Sequence, residues 1–256
     1  MTNAELRMPP WERERVMEKS AGSLSASKER CGIRPVLFEQ ITEIIDPEPH
    51  SAALNMAVDE ALLQRVTEPT LRIYRWSRPA VSLGYFSLFH EAERIACGRE
   101  LVRRWTGGGL VEHGNDITYT LLVPRDAAFF QFSPLDSYRL IHEQIARWLK
   151  SEDLETDVFV DETTNERASA CFVQPVQYDI VAHGLKIAGA AQRRTRWGLL
   201  HQGSIQLPTG LCGRASMLPR AFSGKVTSSQ ITAETQSHAE QIARDRYATD
   251  AWLKRF

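Results

Sequence analysis

The clearest helical pattern in the chain lies in the stretch SAALNMAVDEALLQRV, residues 51–66. Its apolar residues recur at the spacing of one helical face, and Ser51 is placed to cap the first turn. The residues on that face are Leu54, Val58, Ala61, Leu62 and Val66. A second helix is predicted over Asp136–Lys150 and a closing helix over Ser237–Tyr247.

Short runs rich in β-branched and aromatic residues predict strands between these helices. The runs are LRIYRW (71–76), AVSLGYF (80–86), LVRRWT (101–106), ITYTLLV (117–123), YDIVAHG (178–184), LKIAGAAQ (185–192) and LLHQGSIQL (199–207). Strands and helices mix without a regular βαβ alternation. The pattern predicts an α+β domain with a mixed, largely antiparallel sheet and flanking helices.

The first 34 residues differ from the rest of the chain. They are polar, contain Pro9 and Pro10, and show no sustained period. We expect a loosely ordered N-terminal tail over residues 1–34 and a catalytic domain over residues 35–256.

Composition narrows the class of protein. The chain has 256 residues, 43% of them apolar, with 31 basic and 32 acidic side chains and a net charge of -1. This balance argues against a general nucleic-acid or membrane-surface binder, and no apolar run approaches the ~20 residues of a membrane span. The N-terminal residues have no apolar run after their charges, so we expect no secretory leader. The four cysteines form no CxxC pair, so we expect free thiols, no metal site and a cytoplasmic protein.

The segment RRWTGGGLVEHGNDITYT, residues 103–120, contains three consecutive glycines. It lacks the Gly-Lys-Ser/Thr of a phosphate-binding loop and the third glycine of a dinucleotide fingerprint. One interpretation is a tight turn or bulge. The other is a loop whose N–H groups at Gly107–Gly109 bind an anion or a carbonyl. Arg103 and Arg104 alternate along a strand, so only one of them is expected to point into such a site.

A lysine on a predicted strand is the next candidate. Lys186 precedes the small residues 188–191, which are typical of close approach by a ligand or a backbone. A lysine facing such a pocket can bond a substrate carbonyl. The alternatives are that Lys186 is a solvated lysine and that His201, further on, is a structural histidine.

Cysteine supplies the candidate nucleophile. Cys171 stands in SACFVQPVQYD, where it is either a small buried apolar residue or, beside a lysine and exposed amides, a thiol of lowered pKa. Cys212, in a glycine-flanked loop, is the second candidate.

Taken together, these segments resemble the biotin/lipoate protein ligase catalytic-domain superfamily. RRWTGGGLVEH, LKIAGAAQRR and LLHQGSIQL look like its glycine loop, its lysine strand and a later His-x-Gly-Ser strand. NMAVDEALL, LRIYRW and the closing RYATDAWLKRF extend the likeness over roughly residues 37–256. The nearest groups are the LipM-like octanoyltransferases and the lipoate-protein ligase A family.

The resemblance implies a class II biotin/lipoyl-ligase-like fold and an acyltransferase in protein lipoylation. An octanoyl or lipoyl group would pass through a Cys171 thioester to one lysine of a lipoyl domain, with Lys186 as the second catalytic residue. Partners would be acyl carrier protein, the glycine cleavage H protein and the E2 component of 2-oxoacid dehydrogenases. The implied substrate-binding residues are Arg104, Gly107, Gly108, Gly109, His113, Gly189 and His201.

Several alternatives stay open at this stage. A transferase needs no cofactor, whereas an ATP-dependent lipoate-protein ligase would use ATP and magnesium in the same pocket. A silent acyl- or carrier-binding protein is a third option. Either Lys186 or His113 would accept the proton of the incoming lysine. Val81, Leu83, Ile187 and Ala188 are expected to form walls for the acyl chain.

Overall fold

The computed structural model describes residues 36–160, 175–207 and 212–256. Within these residues the chain forms two β-sheets and a set of helices. The strands are β1 (Ile41–Ile45), β2 (Thr70–Tyr74), β3 (Ala80–Leu83), β4 (Glu100–Arg103), β5 (Leu110–His113), β6 (Ile117–Pro124), β7 (Asp157–Val158), β8 (Ile180–Ala182), β9 (Leu185–Arg194), β10 (Gly198–Ile205) and β11 (Val226–Gln230). The helices are α1 (Ala52–Leu63), α2 (Phe89–Ala96), α3 (Pro134–Ser151), α4 (Pro219–Phe222), α5 (Ala233–Ile242) and α6 (Asp250–Leu253), with 3-10 helices at Ala128–Gln131 and Cys212–Met217 and a π-helix at Ala243–Tyr247.

The larger sheet has the strand order β11-β1-β2-β6-β10-β9-β8-β7 in the described part of the chain. β1 pairs in parallel with both β11 and β2, and the remaining neighbours are antiparallel. The smaller sheet has the order β4-β3-β5, with β3 parallel to β4 and antiparallel to β5. The predicted α+β architecture with a mixed, largely antiparallel sheet is therefore confirmed.

Helices cover both faces of the larger sheet because its central strands are apolar on both sides. β6 is buried along its whole length. Leu121 and Val123 pack with Ile141 and Ile145 of α3, whereas Leu122 faces the other way, toward the side of α1. The sheet is thus the middle layer between α3 and α1.

Helix α1 begins as predicted, with the Ser51 hydroxyl accepting a hydrogen bond from Leu54 N. Its burial differs from the prediction of one apolar face, because α1 lies between the sheet and α5 and is covered on nearly all sides. Two of its polar residues, Asn55 and Asp59, are fully buried. Both bind the guanidinium of Arg72 on β2, so the polar side of α1 is also a packing surface.

Four strands and one helix boundary were not predicted. β1, β5, β7 and β11 are short, and β11 has the polar sequence VTSSQ on an exposed edge. The closing helix was expected over Ser237–Tyr247, but α5 starts at Ala233 and the π-helix occupies the last turn. No helix of the described residues is both long enough and apolar enough to cross a membrane.

Candidate active site

The glycine loop joins β4 to β5 without forming a hairpin. These two strands lie on opposite edges of β3, so the loop at Gly107–Gly109 must cross the end of β3. The crossing is close: a Cβ placed on Gly84, just after β3, would lie 1.8 Å from the carbonyl oxygen of Gly108. The interpretation of the three glycines as a tight hairpin is therefore wrong.

Arg104 fixes the shape of this loop. Its Nη2 donates to the carbonyl oxygens of Gly107 and Gly109, each at 3.0 Å, and its Nη1 donates to the carbonyl and the hydroxyl of Ser82. Burial lowers the pKa of Arg104 to about 10, so the guanidinium stays charged at neutral pH. The expectation that only one arginine of the pair faces the site is met, because Arg103 points elsewhere.

The other carbonyl groups of the loop are also bound by the protein. Gly108 O accepts from the Ser87 hydroxyl at 3.1 Å, and Thr106 O accepts from Tyr85 N at 2.8 Å. The N–H groups of Gly107–Gly109 donate to no acceptor among the described residues. The loop therefore turns its carbonyls inward and leaves a row of donors available to a ligand.

Lys186 extends across β9 to a buried carboxylate. Its Nζ lies 2.8 Å from Asp179 Oδ2, and the two side chains are 8% and 0% exposed. Asp179 also accepts a 2.6 Å hydrogen bond from the Tyr138 hydroxyl and one from Val176 N. A Cβ on Gly189 would lie 2.6 Å from Lys186 Cε, so the glycine leaves the space that the lysine occupies. The alternative of a solvated edge lysine is wrong.

His113 is held at both ring nitrogens. Nε2 lies 2.7 Å from Ser82 Oγ and Nδ1 lies 2.9 Å from Asp116 Oδ2. A carboxylate only accepts, so we assign the proton to Nδ1, and Nε2 accepts from the Ser82 hydroxyl. The ring stacks on Trp76 with centroids 4.2 Å apart. His113 therefore links Arg104, through Ser82, to Asp116.

The charge of Asp116 is strongly stabilised. Burial alone would raise its pKa, but hydrogen bonds from His113, Ser204 and Thr118 and the proximity of His113 lower it to about 2. The sequence analysis did not identify Asp116, Ser82 or Asp179, the partner of Lys186. Of these, Asp116 could have been found, because a carboxylate three residues after His113 is close enough in the chain to bind its ring.

These groups line a cleft that encloses about 660 Å³, including its open mouth. The cleft contains Arg104, Gly108, Gly109, His113, Lys186 and Gly189. Its apolar walls are Met56, Tyr74, Trp76, Leu110, Val111 and Val176.

The predicted apolar walls were wrong. Val81 and Leu83 lie on the opposite face of β3 from Ser82, and both are fully buried. Ile187 and Ala188 pack into the core on the α3 side of the sheet. None of the four is among the residues that line the cleft.

His201 lies on the α3 side of the sheet, apart from the cleft. Its Nε2 is 3.1 Å from the Tyr119 hydroxyl and its Nδ1 is 3.0 Å from Gln192 Nε2. Burial and the neighbouring His142 hold the pKa of His201 well below its usual value. The next residue on β10, Gln202, lines the cleft in its place. Cys171 lies outside the described residues.

Arg103 binds two segments that flank the glycine loop. Its guanidinium is fully buried and donates to backbone carbonyls only. The acceptors are the carbonyls of Gly84, Tyr85, Ser87, Trp252 and Leu253. In return, Trp252 Nε1 donates to Arg103 O at 2.9 Å. The turn after β3 and the C-terminal helix are thereby fastened to the strand that leads into the glycine loop.

Solved structures with the same architecture identify the fold. A putative lipoate protein ligase from T. acidophilum superposes with a TM-score of 0.69 at 21% identity, over 86% of this chain and 100% of that one. A lipoate-protein ligase A bound with ATP gives 0.68 at 21% identity, over 85% and 99% of the two chains. The fold is that of a lipoate-protein ligase catalytic domain.

The sequence specifies the family. The profile described as "Lipoyl protein ligase A/B catalytic domain" matches residues 51–246, and the chain belongs to this family. Octanoyltransferase LipM of Oceanobacillus iheyensis is 36% identical over 173 residues, which are 64% of this chain and 63% of that relative. Octanoyltransferase LipM of Brevibacillus brevis is 29% identical over 265 residues, 80% of this chain and 95% of the relative. The chain thus spans a little under two thirds of the first relative's length and nearly all of the second's.

Proposed function

We propose that the protein transfers an octanoyl or lipoyl group to one lysine of a lipoyl domain through a thioester on Cys171. The observation that carries this proposal is the cleft itself. In it, the Lys186 ammonium and the unbonded N–H groups of Gly108 and Gly109 share a pocket with an apolar wall. Similarity to octanoyltransferases named LipM supports octanoyl transfer as the activity.

Lys186 and the glycine loop would stabilise the oxyanion of each tetrahedral intermediate. Such donors are effective because they are fixed before charge develops on the substrate oxygen. Lys186 is fixed by Asp179, and the loop amides are fixed by Arg104 and Ser87. The site therefore presents positive charge without first having to reorganise.

The acyl chain would lie along the apolar wall of the cleft. Each buried methylene contributes up to ~0.8 kcal/mol. Met56, Trp76 and Val111 offer carbon surface beside the polar head site. This division into an apolar wall and a polar head suits a medium-length acyl thioester.

Cys171 would attack the thioester carbonyl of octanoyl acyl carrier protein. The carbon–sulfur bond to the carrier then breaks, and the carrier leaves as a thiol. Val176, which lines the cleft, stands five residues after Cys171 in the sequence.

The neutral amine of the lipoyl-domain lysine would then attack the acyl-enzyme. An amide forms, the Cys171 sulfur leaves, and the proton of the amine ends on that sulfur. His113 acts in this scheme as a positioning residue, because Asp116 and Ser82 already occupy its two nitrogens. It holds Ser82 and, through it, Arg104.

The partners follow from this chemistry. We propose acyl carrier protein as donor, the glycine cleavage H protein or an E2 lipoyl domain as recipient, no cofactor and a cytoplasmic location. Cys97 is an exposed free thiol, which suits a reducing compartment. A related fold occurs in an archaeal bipartite lipoate protein ligase that was studied with its E2 lipoyl domain.

The test is a transfer assay with octanoyl acyl carrier protein and an apo lipoyl domain, without ATP. We expect transfer that Cys171→Ser abolishes and Cys212→Ser retains. An octanoyl adduct on the intact protein should follow the same pattern in mass spectra.

Two other results would overturn the proposal. Activity only with free acid, ATP and magnesium, unaffected by Cys171→Ser, identifies a lipoate-protein ligase. Inertness under both conditions, with octanoate still bound, identifies a non-catalytic acyl-binding protein.

A further inference from the structure

A group of arginines stacked on aromatic rings adjoins the cleft. We call it the arginine–aromatic surface, and it consists of Tyr85, Trp105, Arg193, Arg196, Trp197, Arg246, Trp252 and Arg255. Trp105 directly precedes the segment that contains the three glycines, and Tyr85 follows β3 by two residues. The surface is therefore built on the same two segments as the glycine loop.

β9 leads from the cleft to this surface. Side chains alternate along a strand, so Gly189, Ala191 and Arg193 lie on one face. Gly189 and Ala191 line the cleft, and a Cβ on Gly108 would lie 3.6 Å from Ala191 Cβ. Arg193 is the next residue in that row, roughly 7 Å further along. The surface thus begins one step along β9 beyond the cleft lining.

Stacking holds these arginines in place. The Arg193 guanidinium lies 4.6 Å from the Trp105 ring centroid and donates to Trp105 O. Arg255 lies 5.2 Å from the Tyr85 centroid, and Arg196 lies 4.4 Å from that of Trp197. A cation ordered on a ring loses less conformational entropy when it binds a partner.

The charge of this surface is balanced only in part, because Arg246 pairs with Glu60. Arg193, Arg196 and Arg255 form no ion pair with any carboxylate in the described part of the chain. Surface arginines elsewhere do, as in Arg65–Glu234 and Arg99–Glu112. The net charge of the whole chain is -1, so this positive charge is a local feature that attracts an anionic partner.

Tryptophan, tyrosine and arginine are the residues that most often dominate the binding energy of protein interfaces. Here they occur together on segments that adjoin the lining of a cleft. The composition favours a folded protein partner over a small ion, because a small ion would not use the aromatic area. The charge requires that the partner present an acidic face.

The reach of the acylated group distinguishes the two candidate partners, which are the acyl donor and the domain that carries the acceptor lysine. An extended lysine side chain reaches only about 6 Å from its Cα, so a domain whose lysine is acylated must dock directly beside the cleft. A donor that carries its acyl group on a longer prosthetic arm can dock further away. We propose that the arginine–aromatic surface docks an acidic face of the domain that carries the acceptor lysine. This inference rests on the proposed transfer function.

The test compares the double variant Arg196→Gln/Arg255→Gln with Arg147→Gln, which removes one charge from the exposed side of α3. Both arginines of the double variant are exposed, and neither forms a hydrogen bond or an ion pair with another side chain of the described residues. Acyl-enzyme is prepared, and its octanoyl group is transferred either to an apo E2 lipoyl domain or to hydroxylamine.

We expect kcat/KM for the lipoyl domain to fall about fivefold or more in the double variant at low salt, and the difference to shrink at high salt. Transfer to hydroxylamine should be unchanged, and so should transfer by Arg147→Gln. Equal losses with the domain and with hydroxylamine would overturn the inference, as would no loss with the domain. A loss confined to acylation by acyl carrier protein would assign the surface to the donor and overturn it as well.

Binding of the same lipoyl domain, measured by calorimetry without any acyl donor, separates the two proposals. A wild-type protein that binds the domain but transfers nothing would contradict the transfer function alone. Equal affinity of the wild type and the double variant for the domain would contradict the docking surface alone.

Discussion

Gly189 and Lys186 depend on each other, because the lysine occupies the volume that a side chain at residue 189 would fill. A Cβ built on Gly189 would lie 2.6 Å from Cε and 2.9 Å from Nζ of Lys186, and 3.1 Å from Asp179 Oδ1. The resemblance suggested Gly189 as a substrate-binding residue. Its position gives it a more specific part, which is to admit the ammonium to the cleft.

The first prediction follows from this contact. Gly189→Ala should displace the Lys186 ammonium from Asp179 and lower kcat for octanoyl transfer by about tenfold or more, since loss of one such donor costs roughly 2.7–4 kcal/mol in other enzymes. Gly224→Ala is the matched control, because a Cβ there meets no atom within 4 Å. Transfer rates are measured beside urea unfolding curves. Equal activity of the two folded variants would contradict the assignment of Lys186.

The second prediction compares the effects of alanine substitutions at two glycines of the loop on activity. Gly108 has φ +83°, whereas a Cβ on Gly107 meets no atom within 4 Å and its φ is not in the left-handed region. Gly108→Ala should therefore strain the loop by about 1–2 kcal/mol and reduce activity, and Gly107→Ala should be tolerated. Steady-state kinetics of both variants provide the check. A larger loss for Gly107→Ala would mean that the loop has another shape when it works.

The third prediction concerns the buried guanidinium of Arg103. Arg103→Met leaves several buried carbonyl groups without a donor, and each such group costs about 1–3 kcal/mol. The free energy of unfolding should fall by about 3 kcal/mol or more, as measured in urea. Arg147→Met, at an exposed position on α3, should change it by less than about 0.5 kcal/mol. Similar midpoints for the two variants would refute the role given to Arg103.

The fourth prediction is a dependence of stability on pH. Burial lowers the pKa of His142 to about 4 from the ordinary histidine value of 6.5, and its Nε2 has no hydrogen-bond partner in the described structure. The unfolded chain binds the proton more tightly, so stability is complete above pH 6.5 and falls as the pH drops toward 4. His142 alone should account for roughly 3 kcal/mol of this loss.

The check on this prediction is urea unfolding at pH 7.5 and pH 5. His142→Gln should flatten the difference between the two pH values, while replacement of the exposed His90 by Gln should leave it unchanged. His201, whose pKa burial also lowers, adds to the same slope. A wild-type stability that is equal at both pH values would exclude the neutral buried His142.

The sequence predicted those elements whose signals are local. Ser51 marks the start of α1, and the apolar spacing of Ile141, Ile145 and Leu149 identifies the buried face of α3. β11 has no such signal, because its polar residues form a strand only through the parallel edge of β1. That edge is supplied by a part of the chain about 185 residues earlier.

The site was predictable as a set of residue types but not as a geometry. The glycines and Lys186 stood out, whereas His201 and Gln202 could not be distinguished, since both faces of β10 are buried and alternation alone does not say which one meets the cleft. Ser82 was missed because its partners, Arg104 and His113, are 22 and 31 residues away. Asp179 is only seven residues from Lys186, but nothing in the local pattern shows that the pairing of β8 with β9 brings the two side chains together. Their roles depend on contacts that only the folded sheet creates.

Arg103 binds carbonyls at Trp252 and Leu253, so the strand before the glycine loop is fastened by residues that follow it by about 150 positions in the chain. A ribosome synthesises β6, β9 and β10 before it reaches those residues. The loop therefore acquires its final shape only after these strands have been made, and the reactive surface stays unassembled on the nascent chain until then.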